Sequence, residues 1–120
     1  MTQEEKIEKL DKLICRIINS DNKMEGQYNM PYSTSNDEYA DWNVEFKVDK
    51  VSLWETEKYN QCKYSGTVYL DIDVRVGFQG DWDKCSIWDL PSWVKDDIED
   101  KILDNLEQFL PMVCVDLTFN

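Results

Sequence analysis

Apolar and polar residues alternate along Tyr64–Phe78. The even positions Tyr64, Val68, Leu70, Ile72, Val74, Val76 and Phe78 are apolar, with Gly66 among them, while Asp71, Asp73 and Arg75 fall between. Successive side chains of a strand point to opposite faces, so the stretch predicts one long strand with a buried and a hydrated side. Trp42, Val44, Phe46 and Val48 keep the same period, after which the apolar positions change parity to Val51 and Leu53. One extra residue at Asp49–Lys50, a β-bulge, would restore the facing. With that bulge the two segments pair antiparallel, Trp42 opposite Val76, Val44 opposite Val74, Phe46 opposite Ile72 and Val48 opposite Leu70. The hydrated side then sets Glu45 against Asp73 and Lys47 against Asp71, with Arg75 diagonal to Glu45. Fifteen extended residues run about 50 Å, beyond the roughly 35 Å expected across a globule of this size. The hairpin must therefore bend or project, and Gly66 and Gly77 are the natural places.

Helical spacing brackets this hairpin. Thr2-Gln3-Glu4-Glu5 fits an N-terminal capping box, and Ile7, Leu10, Leu13, Ile14, Ile17 and Ile18 follow at three- and four-residue intervals as a core-facing stripe, ending near Ser20–Asn22. A second helix is expected from about Pro91 to Leu110, with Pro91 in its first turn, Asp89 or Ser92 as its cap, and Pro111 as its stop. Val94, Ile98, Ile102, Leu106 and Phe109, flanked by Leu103 and Leu110, form its buried stripe. Met112–Phe119 alternates again with Val113, Val115, Leu117 and Phe119 apolar, giving a third strand. A strand, a helix and a strand in that order favour a parallel crossover beside Tyr64–Phe78.

The fold class is thus α+β in the order α-β-β-α-β. A three-stranded, mainly antiparallel sheet, made of the long hairpin and the C-terminal strand, carries both amphipathic helices on one face. Residues 1–120 form a single domain. Within it, Asp21–Asp41, rich in Asn, Ser, Tyr and acid, reads as a long polar loop that includes Tyr28 and Tyr32, candidate interface rings. Asp81–Asp89 reads as a turn-like connector bearing Trp82 and Trp88 between acids.

Charge sharpens the picture. The chain holds 13 Lys+Arg against 25 Asp+Glu, a net −12. Such a field repels a nucleic-acid backbone or an anionic membrane and attracts basic proteins and cations. No apolar run approaches the ~20 residues of a membrane-spanning helix. Four cysteines, at 15, 62, 85 and 114, show no Cys-x-x-Cys pair, and histidine is absent. With no exported leader pattern at MTQEEKIEKL, four reduced thiols in the cytoplasm are expected, the alternative being two disulfides in a secreted domain. Lack of histidine excludes Ser-His and Cys-His catalysis and His-based metal sites, leaving carboxylate, lysine or lone-cysteine chemistry.

The surface most suggestive of function lies on the second helix. At 100° per residue Asp96, Asp97, Asp100, Asp104 and Glu107 fall within an arc of roughly 100°, across from the apolar stripe. The pairs Asp96–Asp100 and Asp100–Asp104 are like charges at i,i+4, which each cost a few tenths of a kcal/mol. Lys101 relieves part of this. The helix dipole accounts for acids in the first turn and not for Asp104 and Glu107. Five tryptophans stand at 42, 54, 82, 88 and 93; core packing is expected of most, while Trp82 and Trp88 beside Asp81, Asp83 and Asp89 form a candidate rim for docking.

Other constellations are weaker. Glu45-x-Lys47 with Asp71 or Asp73 has the flavour of a metal-dependent nuclease, yet Lys47 and Arg75 compete with a cation for the carboxylates, and no basic groove accompanies them. Asp81-x-Asp83 lacks the glycine and the glutamate of a calcium loop. Neither a cofactor nor a metal is expected. The composite expectation is a small non-enzymatic inhibitor or decoy, partner-binding through Asp96, Asp97, Asp100, Asp104, Glu107, Asp81, Trp82, Asp83, Trp88, Tyr28 and Tyr32. Its partner would be a basic nuclease or a DNA- or RNA-binding effector, in the manner of phage anti-CRISPRs or nuclease immunity proteins, an analogy of size and charge. A structural or adaptor domain whose acidity only solubilises is the second reading, and a carboxylate metalloenzyme the third.

Overall fold

The computed structural model describes residues 2–29, 39–56, 62–78 and 80–119. Helix α1 (Gln3–Ser20) begins at Thr2, whose Oγ1 accepts from Glu5 N at 3.2 Å. It leads into β1 (Lys23–Asn29), β2 (Tyr39–Glu55), β3 (Tyr64–Phe78) and β4 (Asp81–Cys85). A 3₁₀ turn over Ile87–Asp89, helix α2 (Ser92–Phe109) and β5 (Val113–Phe119) complete the chain.

The architecture is α+β, and its sheet has five strands where the periodicity predicts three. The central hairpin has the expected register: Trp42 pairs with Val76, Val44 with Val74, Phe46 with Ile72 and Val48 with Leu70, and the register shifts between Val48 and Lys50. That shift is the bulge required by the parity change. β5 returns parallel to the first half of β3, Tyr64 opposite Val113.

Two strands are corrections. β1 pairs antiparallel with the first half of β2 and takes Lys23–Asn29 out of the expected loop; Tyr39–Asp41 belong to β2 itself. β4 pairs with the C-terminal end of β3 and converts the start of the expected connector into sheet. Both are short: β1 alternates Met24, Gly26 and Tyr28 toward the helix side with polar residues between them, and β4 carries Trp82 and Cys85 among charged residues, patterns too brief to stand out from loop without the hairpin edges they pair with. β4 and β5 share one edge of β3, at opposite ends. The paired 17- and 15-residue strands make the molecule long, 60 × 24 × 21 Å. The hairpin therefore projects. Gly66 marks a close approach, since a Cβ there would collide with the Ser52 carbonyl oxygen and lie 2.6 Å from Leu53 Cδ2.

Both helices cover one face. Ile14 and Ile18 of α1 and Val94, Ile98, Ile102 and Leu106 of α2 are buried against Trp42, Val44, Phe46, Val68, Leu70 and Val74. Phe109 departs from its expected place in the α2 stripe: it is 61% exposed, and Leu103 is exposed as well. Pro91 occupies the cap position of α2 with no side-chain bond, while Asp89 and Ser86 cap the 3₁₀ turn instead. Among the described residues no helix covers the opposite face of the sheet.

A disulfide joins Cys62 to Cys114, with Cα atoms 5.9 Å apart, and Cys15 and Cys85 are free thiols. This corrects the expectation of four reduced cysteines. The bond pins β5 to the entry of β3, where Lys63 N and Tyr64 N also donate to Met112 O at 2.8 and 3.1 Å. Among the described residues no helix is long and apolar enough to cross a membrane.

Candidate functional site

The acidic arc of α2 is real. Asp96, Asp97, Asp100, Asp104 and Glu107 are all exposed, because the helix is held by the opposite stripe of Val94, Ile98, Ile102 and Leu106. The two basic residues of α2 are drawn to its flanks. Lys95 bonds Glu99 at 2.9 Å. Lys101 bonds Asp21, at the end of α1, at 3.0 Å and donates to Lys23 O at 3.4 Å. Lys101 is therefore a tether between α1, β1 and α2, and none of the five arc carboxylates has an ion-pair partner among the described residues. Residues 81–109 carry nine acidic and three basic side chains, a net −6, whereas α1 carries four of each. Half of the net −12 thus falls within residues 81–109.

The tryptophans correct the expectation that most of them fill the core. Only Trp42 is buried, at 3% exposure; Trp54, Trp82, Trp88 and Trp93 are all exposed. Trp88 is the most open of them at 69%. In a 3₁₀ turn residues three apart share a side, so Ile87 and Leu90 enter the core together while Trp88 faces out. Lys95 Nζ lies 5.0 Å from the centre of its ring and 5.7 Å from that of Phe119. Trp93 falls within the same angular arc as the carboxylates and packs edge-on against Trp42, centroids 6.4 Å apart.

The candidate set does not form one surface. Directly paired residues share a face of the sheet, so Trp82, opposite Gly77, lies on the uncovered face, whereas Asp83, opposite Val76, and Asp81, opposite Phe78, lie on the helix side. The expected docking rim of Asp81, Trp82 and Asp83 is thus split across the sheet. Trp82 covers Gly77 closely: a Cβ on that glycine would lie 2.7 Å from the indole. Tyr28 points to the helix side and packs partly buried against the core. Burial, with Cys85 and Asp89 nearby, pushes its hydroxyl pKa up, and burial and Asp89 push up that of Cys85. Tyr28 is a packing residue more than an exposed ring. Tyr32 lies outside the described residues.

Sequence reasoning left Trp93, Lys95, Glu99 and Phe119 out of the candidate set. The i,i+4 spacing of Lys95 and Glu99 carried a usable signal, since it marks an ion pair on the helix flank; nothing in the sequence places Phe119 beside them.

The uncovered face has a different character. A depression of about 290 Å³ is lined by Asn22, Glu45, Phe46, Lys47, Asp71, Ile72 and Asp73. It gathers the residues of the nuclease-like constellation, with Lys47 paired in register to Asp71 and Arg75 3.8 Å from Asp73. Among the described residues no three Cys, Asp or Glu side chains are grouped to hold a metal ion. No protein-family model, curated protein or solved structure matches this chain, so its function is argued from these surfaces alone.

Proposed function

We propose that the protein is a small acidic, non-enzymatic inhibitor or decoy that binds and blocks a basic nucleic-acid-handling protein, with the α2 face standing in for a phosphate backbone. The observation that carries the reading is the unpaired row of Asp96, Asp97, Asp100, Asp104 and Glu107 on a rigidly held helix. At 1.5 Å rise per residue these five charges span about 16 Å, one every ~4 Å along the helix axis, close to the ~3.4 Å of axial rise per phosphate of one DNA strand. The anti-CRISPR and nuclease-immunity analogy remains one of size and charge.

Pull-down from a lysate followed by salt titration tests this. A basic nuclease or DNA-binding protein, released as salt rises, is the expected partner. A neutral partner, or binding indifferent to Asp100→Lys with Asp104→Lys, would sink the reading and leave the adaptor alternative. The proposal places the protein in the cytoplasm with the machinery it blocks. Disulfides persist mainly in oxidising surroundings, so acid-quenched alkylation of whole cells bears on that placement: a fully oxidised Cys62–Cys114 pair would move the site of action to an oxidising compartment.

A further inference from the structure

We propose that Trp88 anchors this interface and that its occupant is the guanidinium of an arginine carried by the basic partner, stacked on the exposed indole. The inference rests on the proposed function in taking the partner to be basic. It adds the anchoring residue, the type of contact and the choice of arginine over lysine.

The first support is that Trp88 is exposed by construction. Ile87 and Leu90 on either side are 4% and 6% exposed, and the turn is fixed by Ser86 N donating to Asp89 Oδ2 at 3.0 Å and Trp88 N donating to Ser86 Oγ at 3.3 Å. A polar residue between two core residues would serve the fold equally well. A large ring held on a rigid turn loses little conformational freedom when a partner covers it.

The second support is that the ring already binds a cation. Lys95 Nζ sits 5.0 Å from its centre, steadied by Glu99 at 2.9 Å. Lys95 thus braces the indole, and 69% of the residue is still exposed. The third is charge: Glu99 offsets the Lys95 ammonium beside the ring, Asp89 adjoins Trp88 in the chain, and residues 81–109 as a whole carry a net −6, a field that favours a cationic occupant. A guanidinium is planar and weakly hydrated, so it stacks on an aromatic face better than an ammonium does. Tryptophan and arginine are also the residues most enriched at interface hot spots.

The test uses the full chain and two synthetic peptides of equal length and charge, arginine–glycine and lysine–glycine repeats, titrated by calorimetry. The wild-type protein should favour the arginine peptide about two- to five-fold, and Trp88→Ala should bring that ratio to about one while keeping the salt-dependent affinity common to both peptides. Trp88→Leu, which keeps apolar bulk without a π face, should lose the ratio too. No arginine preference in wild type, or a preference surviving either substitution, overturns the proposal. Asp100→Lys with Asp104→Lys should weaken both peptides together. If it does not, the phosphate-mimic reading fails, while the arginine-to-lysine ratio still decides the role of Trp88.

Discussion

Breaking the Cys62–Cys114 bond should lower the thermal midpoint steeply. The bond spans 52 residues of sequence, enclosing β3, β4, the 3₁₀ turn and α2. Cross-linking a loop of that length removes roughly 14 cal/mol/K from the entropy of the unfolded chain, about 4 kcal/mol at 25 °C. Unfolding 120 residues carries an entropy of about 0.25 kcal/mol/K near 60 °C, so the loss corresponds to a fall of roughly 15 °C in midpoint. The assay is scanning calorimetry of the oxidised protein against Cys62→Ser with Cys114→Ser, at several scan rates. Cys114 is exposed and Cys62 half-buried, so serine is tolerated at both and packing loss adds little. Adding a dithiol reductant to the wild type should reproduce the variant. A midpoint change under about 3 °C would refute the reasoning, because it would mean that β5 detaches early and that the bond does not constrain the cooperative unit.

Gly66→Ala should destabilise by about 2–4 kcal/mol, since the new methyl meets the Ser52 backbone and Leu53 with no rotamer to relieve it; urea denaturation reads it, and a change under 1 kcal/mol would mean that the hairpin shifts there cheaply. Asp100→Lys alone should raise the midpoint slightly, because it turns both i,i+4 repulsions, with Asp96 and with Asp104, into attractions worth a few tenths of a kcal/mol per pair, while weakening partner binding; a loss of stability would show that the arc is structurally required. Burial, then Glu8, holds the Asp11 carboxyl above its ordinary value, and its Oδ1 is buried with no hydrogen-bond partner among the described residues. A raised folded pKa contributes stability that is complete below the unfolded value of 3.8 and is lost as pH rises through the folded value. Asp11→Asn should therefore be the more stable protein at pH 7, with the difference closing below pH ~4; a gap constant across that range would refute the assignment.

How much of this was legible beforehand differs by residue. The arc Asp96–Glu107 could be drawn from a helical wheel, because a helix held by one apolar stripe presents the opposite residues to water wherever it packs. The rim could not. Trp82 and Asp83 are neighbours in sequence, and only the discovery that they form a strand puts them on opposite faces. Tyr28 looked like a loop ring until β1 turned it toward the core. Phe109 extends the apolar stripe on paper, yet as the last residue of α2 it is 61% exposed.

The sequence by itself determined the elements whose hydrophobic period repeats over many residues: α1, the core-facing stripe of α2, the β2–β3 register with its bulge, and the parallel return of β5. Periodicity is a local property, and a change of parity can be repaired in only a few ways, which is why Val48/Lys50 could be located in advance. Only the tertiary structure decided β1 and β4, which exist because the edges of a long hairpin offer unpaired backbone groups. It also decided the Cys62–Cys114 bond, since two cysteines 52 residues apart meet only when the crossover lays β5 beside β3. Finally, it decided which tryptophans the core could take: one layer of helices over one face of the sheet buries Trp42 and leaves Trp88 to the solvent.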